Sequence, residues 1–439
     1  MKFYNRENEL EKLNSIVEKS KKNAQFTYVV GRRRIGKTSL LLKSVSDTVF
    51  LYFFVSRKNE QILCLDFKEE FERKMDEKIY GSFSQFSHLF EFLVHRSKKM
   101  NFTLIIDEFQ EFQNINPSIM SDIQRIWDLN KQESKLNFIV CGSIFSMMYK
   151  IFENSKEPLF GRATNMIRLQ PFTVKTLREI YQDNTSDYSS EDLLSFYMYT
   201  GGVAKYVELF VQEKAFTKES MLNVMLSPNS YFLEEGKNAL IEEFGKEYGT
   251  YFSILSLIAS SKTSRPEIES ILEREVGGYL DRLENVYNII EKVKPIFAKD
   301  GGRLVKYFIK DNFLNFWFRY FYKQRAAIEI GNFAYVKSII ENEYSVYAGT
   351  LLERYFLNEF KIQNFNQVGR YWERGNQNEI DIVAVNDMEK RMVIVEVKMN
   401  PKKINLELLK RKAEKLVAQR PDYLVEYKGL SLEDIKLDN

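Results

Sequence analysis

The feature that most constrains the fold is the segment Gly31–Thr38, whose sequence is G-R-R-R-I-G-K-T. The apolar run Phe26–Val30 precedes it, and a helical pattern opens at Ser39. A glycine loop between a strand and a helix lets backbone N–H groups close around an anion, and the helix N-terminus adds a partial positive charge. The segment therefore predicts a phosphate site for a nucleoside triphosphate. A basic turn that binds no ligand is the simpler alternative.

The residues of this segment have expected roles. Lys37 would reach the terminal phosphates, and the Thr38 hydroxyl would hold Mg²⁺. Gly31, Gly36 and Ser39 are expected to contribute to the same nucleotide site.

Length and composition set outer limits. The 439 residues allow about three domains. A net charge of +3 is too small to demand a nucleic-acid partner, so any such interaction must come from local sites. The two cysteines form no disulfide or zinc pattern. The chain starts without an apolar signal core and has no run of membrane-spanning length, so we expect a cytoplasmic protein with no membrane partner.

Two later strands add polar residues at their ends. The apolar run that starts at Phe102 ends in Asp107 and Glu108, which are expected beside Mg²⁺ and beside the attacking water, respectively. A strand ending at Cys141 leads to Ser143, which could bond the γ-phosphate or the water, although a serine after glycine is also ordinary turn chemistry. The alternation of strands and helices predicts an α/β fold with a doubly wound parallel sheet and the nucleotide at the carboxyl ends of its strands.

A family resemblance covers this part of the chain. Asn5–Glu7, the glycine loop, Leu104–Glu108, Cys141–Ser143 and Leu159–Arg162 together resemble the archaeal/prokaryotic AAA+-type ATPases related to the STAND NTPases.

The resemblance implies that the nucleotide is ATP and adds Arg6 to the nucleotide-binding residues. It also makes Ser143 a first sensor and Arg162 a candidate arginine finger, acting in cis or from a neighbouring subunit of a homo-oligomer. A surface loop arginine is the alternative for Arg162.

Residues 173–243 are predicted to form a helical lid, and residues 244–322 a winged helix-turn-helix. The second prediction rests on the predicted helices and hairpin strands Tyr248–Ala259, Ser264–Glu273, Val276–Ile290, Ile296–Ala298 and Val305–Ile309. The third helix carries acids beside its arginine, so packing or a protein contact is as good an expectation as DNA contact.

A second candidate site lies near the C-terminus. Alternation within Glu379–Val383 puts Glu379 and Asp381 on one face of a strand, and alternation within Val393–Lys398 puts Glu396 and Lys398 on one face of the next. A hairpin would bring the three together, where two carboxylates can hold Mg²⁺ and the lysine can orient a water for phosphodiester attack. Two solvated strands with ordinary charges are the alternative.

This pattern resembles the PD-(D/E)XK nuclease-like motif and implies an α/β restriction-endonuclease-like domain over residues 323–439. The resemblance adds Glu353 as the acid of a preceding helix. The helix Leu406–Val417 has a basic face that could meet phosphates, or that is simply solvated.

The sequence therefore favours an AAA+-type ATPase core over residues 1–172 that binds and hydrolyses ATP. It would act as a switch or motor for a nuclease-like domain directed at DNA or other nucleic acid. The alternative is a STAND-like signalling scaffold that binds protein partners and carries an inactive nuclease-like domain.

Overall fold

The computed structural model describes residues 2–186, 189–299, 301–302 and 304–435. The chain divides into two compact units, one spanning Lys2–Pro171 and the other running from Phe172 onward. Within the described residues, no helix has the length and apolar character needed to span a membrane.

The first unit is an α/β unit with a parallel sheet, as predicted. Its strands are β1 (Gln25–Val30), β2 (Phe50–Phe54), β3 (Phe102–Asp107), β4 (Leu136–Cys141) and β5 (Asn165–Arg168). Its helices are α1 (Glu7–Ser20), α2 (Lys37–Ser44), α3 (Glu60–Met75), α4 (Phe86–Ser97), α5 (Phe112–Ile115), α6 (Ile119–Asn130) and α7 (Phe145–Glu153). The strand order is β2-β3-β4-β1-β5, and every pair is parallel.

Both faces of this sheet are buried. Phe26 and Tyr28 of β1 join one apolar cluster, whereas Val29 joins a second cluster with Ile105 and Ile139. Because side chains alternate along a strand, the two clusters lie on opposite faces of the sheet, which explains the continuous apolar runs of the sequence.

The second unit begins with helices and ends with a mixed sheet. Its helices are α8 (Val174–Asn184), α9 (Ser190–Thr200), α10 (Ala204–Gln212), α11 (Lys218–Met225), α12 (Tyr231–Phe244), α13 (Tyr248–Ala259), α14 (Arg265–Leu272), α15 (Gly277–Asp281), α16 (Asn312–Phe316), α17 (Arg325–Glu329), α18 (Phe333–Lys361) and α19 (Leu406–Val417). Its strands are β6 (Ile290–Val293), β7 (Lys306–Ile309), β8 (Gln367–Tyr371), β9 (Ile380–Asn386), β10 (Arg391–Lys398) and β11 (Leu424–Ser431).

The predicted helix over 276–290 is too long. Only α15 is α-helical; a π-helical turn follows over Arg282–Val286, and Asn288 adopts a positive φ of 55° that ends the helical path. A short polar asparagine tolerates this left-handed conformation, and the next residues, Ile289 and Ile290, are β-branched and lead into β6.

The hairpin after this helix has a different first strand from the predicted one. The strand β6 pairs antiparallel with β7, whereas Ile296 donates its backbone N–H to Arg370 O at 2.8 Å. Pro295 has no backbone N–H to donate to a ladder, and Phe297 has a positive φ of 63°, so Ile296–Ala298 does not form the hairpin strand. Asp300, which lies between the two predicted hairpin strands, is outside the described residues.

The C-terminal sheet has the order β11-β10-β9-β8. The predicted hairpin is present: β9 and β10 pair antiparallel with Val383 opposite Ile394. Met392 and Ile394 of β10 pack in one cluster with Leu409 of α19. Glu396 and Lys398 continue the same alternating row and therefore lie at the carboxyl end of β10, on the face that α19 covers.

Candidate nucleotide site and C-terminal charge cluster

The glycine loop connects β1 to α2 at the carboxyl edge of the parallel sheet. Gly36 precedes α2 with φ of 93°, a conformation that glycine adopts without steric cost. Lys37 is buried, and its Nζ donates to Gly31 O at 2.8 Å and to Arg32 O at 3.1 Å. The ammonium group is thus held inside the loop, where a phosphate group would replace the two carbonyl acceptors.

Asp107 ends β3 opposite the start of α2 and accepts hydrogen bonds on both carboxylate oxygens. Its Oδ2 accepts from Thr38 Oγ1 at 2.7 Å and from Tyr52 OH at 2.8 Å. Its Oδ1 accepts from the Glu108 N–H at 2.9 Å and from Cys141 Sγ at 3.0 Å. All four of these donors are electrically neutral groups.

Tyr52 was not among the predicted site residues. Burial and the neighbouring Asp107 carboxylate raise the pKa of the Tyr52 phenol well above its usual value, so it remains a donor. One feature of the sequence could have identified Tyr52 as a site residue. It alternates with apolar residues near the end of a strand, and ligand-binding residues of parallel sheets lie at the carboxyl ends of the strands.

Glu108 has a positive φ of 54°, and its carboxylate turns toward β4. Its Oε2 accepts from Ser143 Oγ at 2.7 Å, from the Ser143 N–H at 3.4 Å and from Gln110 Nε2 at 2.5 Å. Ser143, expected near a phosphate or the water, thus bonds the predicted water-polarising glutamate.

The residues of this edge fit ATP with Mg²⁺. Thr38 and Asp107 supply a hydroxyl and a carboxylate that already touch each other, which is the donor chemistry that Mg²⁺ prefers alongside phosphate oxygens. Lys37 and the first turn of α2 supply positive charge for the phosphates.

The remaining two predicted nucleotide-binding residues lie at the same edge. Arg6 is buried and donates from Nη2 to Gln170 O at 2.8 Å, just beyond β5, and burial lowers the pKa of its guanidinium. Ser39 is exposed in the first turn of α2.

Arg162 lies elsewhere. Arg162 precedes β5, whereas the glycine loop follows β1. Because these two strands are parallel neighbours, the two segments lie at opposite ends of the strands. Its Nε is 3.4 Å from Asp128 Oδ2, and its Nη1 donates to Phe160 O at 2.9 Å. Within one chain, the structure does not bring Arg162 to the glycine loop.

The predicted C-terminal residues do come together. Lys398 Nζ lies 3.5 Å from Asp381 Oδ2 and 3.6 Å from Glu396 Oε1. Asp381 also accepts the Val397 N–H at 2.7 Å, and the buried Glu396 accepts the Asn405 N–H at 2.9 Å. Burial raises the pKa of the Asp381 carboxyl, against the opposing effects of the Val397 N–H and Lys398.

Glu353 of α18 joins this cluster through a partner that the sequence did not reveal. Its Oε2 lies 3.3 Å from Arg370 Nη2 of β8. Burial raises the pKa of Glu353 to about 7; Arg370 opposes the shift, and the Asp381 and Glu379 charges add to it.

Three further lysines form ion pairs with carboxylates in this region. Lys412 Nζ of α19 lies 3.6 Å from Glu396 Oε1, Lys415 of the same helix pairs with Glu373 at 2.7 Å, and Lys306 pairs with Glu379 at 2.8 Å. The basic face of α19 was visible in the sequence, but its contact with Glu396 depends on how the helix packs. In the part of the chain that the structure describes, no three His, Cys, Asp or Glu side chains are grouped so as to hold a metal ion. A Mg²⁺ ion held by Asp381 and Glu396 would therefore take its other ligands from waters or substrate phosphates.

Comparison with known proteins supports an ATPase assignment for the N-terminal part of the chain. Residues 3–210 match the family described as an ATPase domain predominantly from Archaea, and residues 317–416 match a family of archaeal and bacterial proteins of unknown function. Among solved structures, the Walker-type ATPase of Pyrococcus abyssi is similar with a TM-score of 0.54 and 18% identity, over 72% of this chain and 96% of that chain. At this identity the similarity shows the fold alone. The ORC2 protein of Aeropyrum pernix, solved as ADPNP-ADP complexes, has a TM-score of 0.48 and 13% identity, over 75% of this chain and 95% of that chain.

A relative that matches most of the chain shows the family. An uncharacterized protein of Methanocaldococcus jannaschii is 31% identical over 406 residues, which cover 90% of this chain and 87% of the relative. The chain therefore belongs to the same family as this archaeal protein, with an ATP-binding ATPase domain of archaeal type followed by a region shared with archaeal and bacterial proteins of unknown function.

Proposed function

We propose that the protein is an ATP-hydrolysing switch that controls a nuclease-like C-terminal domain directed at nucleic acid. The observation that carries the second half of the proposal is the convergence of Asp381 and Glu396 on Lys398 at one end of the C-terminal hairpin. In this proposal residues 173–243 are the lid, residues 244–322 are a winged helix-turn-helix, and residues 323–439 are the nuclease-like domain.

In the ATPase half, Lys37 binds the terminal phosphates, and Thr38 and Asp107 hold Mg²⁺. When bound there, the ion would supply positive charge that offsets the charge of the phosphates. Glu108 accepts the proton of the attacking water on Oε1, because Oε2 already accepts from Ser143 and Gln110. An arginine-finger role for Arg162 requires a second copy of the chain, because Arg162 lies at the end of the strands that is opposite the glycine loop.

In the C-terminal half, Asp381 and Glu396 hold the divalent cation and Lys398 orients a water for attack on a phosphodiester. When bound there, the cation would supply Lewis-acid polarisation of a phosphate oxygen. Glu353 contributes a buried carboxyl group to the same cluster, where it pairs with Arg370.

A second candidate function is a STAND-like, ATP-dependent scaffold that binds protein partners. The ion pairs favour it, because Lys398 and Lys412 already neutralise the carboxylates that would bind the cation.

The two functions are separated by cleavage and binding assays on the full chain. With Mg²⁺ or Mn²⁺, and with and without ATP, we expect wild-type protein to bind and cut at least one of single-stranded, duplex or branched DNA or RNA. Asp381→Asn should bind without cutting. Lys37→Ala should lose ATP binding and the ATP dependence of cutting. Failure to bind or cut any of these substrates would refute the nucleic-acid proposal and leave the scaffold.

A further inference from the structure

Gln110 is a fully buried polar side chain in the nucleotide site that none of the predicted roles uses. It sits in the 3₁₀ turn Phe109–Glu111 directly after β3 and is 0% exposed. Its Nε2 lies 2.5 Å from Glu108 Oε2. An ionised carboxylate only accepts hydrogen bonds, so the amide must present its N–H to Glu108.

The other end of the amide is unusual. Gln110 Oε1 is buried and has no hydrogen-bond partner within the described part of the chain. It faces Gly142, where an added Cβ would lie 2.1 Å from Gln110 Oε1 and 2.7 Å from Met148 Sδ. Gly142 therefore leaves the space that the amide occupies. A buried carbonyl without a donor costs free energy, so this arrangement is not one that stability alone favours.

The geometry around Glu108 indicates what the amide does. Gln110 Nε2 and Ser143 Oγ bond the same carboxylate oxygen, Oε2, from two different segments of the chain. Two donors from separate segments fix both the position and the rotation of the carboxylate. Oε1 then remains the oxygen on which the carboxylate can accept from a water.

We infer that Gln110 is a positioning residue for ATP hydrolysis, which acts by holding Glu108 in the orientation that accepts the water proton. This rests on the proposed role of Glu108. In the step itself, the water oxygen bonds to the γ-phosphorus, the bond to the β–γ bridging oxygen breaks, and ADP leaves with that electron pair. The water proton passes to Glu108 Oε1, and Gln110 gains and loses nothing.

The test is steady-state ATP hydrolysis by Gln110→Met, which keeps the length of the side chain and removes the donor. We expect kcat to fall about 10- to 100-fold, the usual scale for a misplaced catalytic group, with KM and ADP affinity unchanged. Gln110→Asn, which is polar but too short to reach Glu108, should behave in the same way if the methionine variant does not fold. Gly142→Ala should reproduce the loss, because its methyl group displaces the amide.

A matched control removes an amide donor from a different carboxylate. Asn114 Nδ2 donates to Glu111 Oε2 at 3.1 Å, so Asn114→Ala should leave kcat unchanged. Unchanged kcat in folded Gln110→Met and Gln110→Asn would overturn the inference.

A double-mutant cycle separates positioning from a structural effect. In a Glu108→Gln background, Gln110→Met should cause no further loss of kcat, because the residue acts only through the Glu108 carboxylate. A full multiplicative loss in that background would overturn the inference even though the Glu108 role stood. If Glu108→Gln itself hydrolyses ATP like wild type, the role of Glu108 fails instead.

Discussion

The two candidate sites each hold a pair of carboxylates, but they hold them with different chemistry. Neutral donors bind Asp107 and Glu108: hydroxyl, thiol and amide groups. Asp381 and Glu396 each accept one backbone N–H as well, but Lys398 also lies between them and Lys412 approaches Glu396. Neutral donors fix a carboxylate and leave its charge to attract a divalent cation, whereas a lysine fixes it and cancels that charge.

The position of the nearest lysine makes the same point. The Lys37 ammonium donates to backbone carbonyls of its own loop, and a phosphate could replace these neutral acceptors. Lys398 turns to the two carboxylates themselves. The side chains of the nucleotide site could therefore meet an anion and a cation together, whereas a cation at the C-terminal site would first have to displace a lysine.

The largest expected effect tests the first half of this comparison. Glu108→Gln keeps the shape of the side chain and removes the charge that accepts a proton. We expect kcat for ATP hydrolysis to fall roughly 10²- to 10⁴-fold, the range typical of a lost general base, while ATP binding is retained. Phosphate release and fluorescent-nucleotide titration measure the two quantities, with the exposed Glu133→Gln as control. Equal hydrolysis by Glu108→Gln and wild type would rule out the water-polarising role.

A smaller effect tests the second half. Lys412→Ala removes the cation 3.6 Å from Glu396 Oε1, so Mn²⁺ should bind the C-terminal site about tenfold more tightly. Lys415→Ala is the matched control, because it lies on the same helix and pairs with Glu373 instead. Calorimetric titration of Mn²⁺ without nucleotide measures the affinity. The same affinity in both variants and wild type would show that Lys412 does not compete with the cation.

Much of this arrangement could be predicted from the sequence, because it depends on local pattern. The glycine loop, the acidic end of β3 and the hairpin that joins Asp381 to Lys398 follow from alternation and spacing within short segments. The contacts of Tyr52, Arg370 and Lys412 depend on strand order or helix packing, which no local pattern encodes. Tyr52 meets Asp107 across 55 positions because β2 happens to pair with β3.

The length of one predicted helix was wrong for a local reason that helix propensity does not capture. The third helix of the region after residue 244 ends early because Asn288 takes a left-handed conformation, although its neighbours fit a helical period. The geometry also bears on Arg162, for which the resemblance implies an arginine finger acting in cis or from a neighbouring subunit. Because β1 and β5 are parallel, Arg162 lies at the end of the strands opposite the glycine loop of its own chain, and the neighbouring-subunit alternative is the one that remains.

The smallest expected effect concerns the proton held in the C-terminal cluster. Burial raises the pKa of Glu353 from an ordinary carboxyl value to about 7. Between the unfolded and folded pKa values, the folded chain therefore binds a proton that the unfolded chain does not. The contribution of Glu353 is fully present below the unfolded pKa of about 4.3 and is lost as the pH rises through 7, so it lowers the unfolding free energy with increasing pH.

Glu353→Gln removes this proton and its pH dependence. From pH 5 to pH 8 we expect the Tm of wild type to fall relative to the variant, by a difference on the order of 2–4 °C. Thermal unfolding across this range measures it, with Glu341→Gln at an exposed position of the same helix as control. Parallel Tm curves for wild type and Glu353→Gln would mean that Arg370 keeps Glu353 ionised at all these pH values. Ion pairing would then dominate burial in the C-terminal cluster, and its contrast with the neutral-donor nucleotide site would be sharper still.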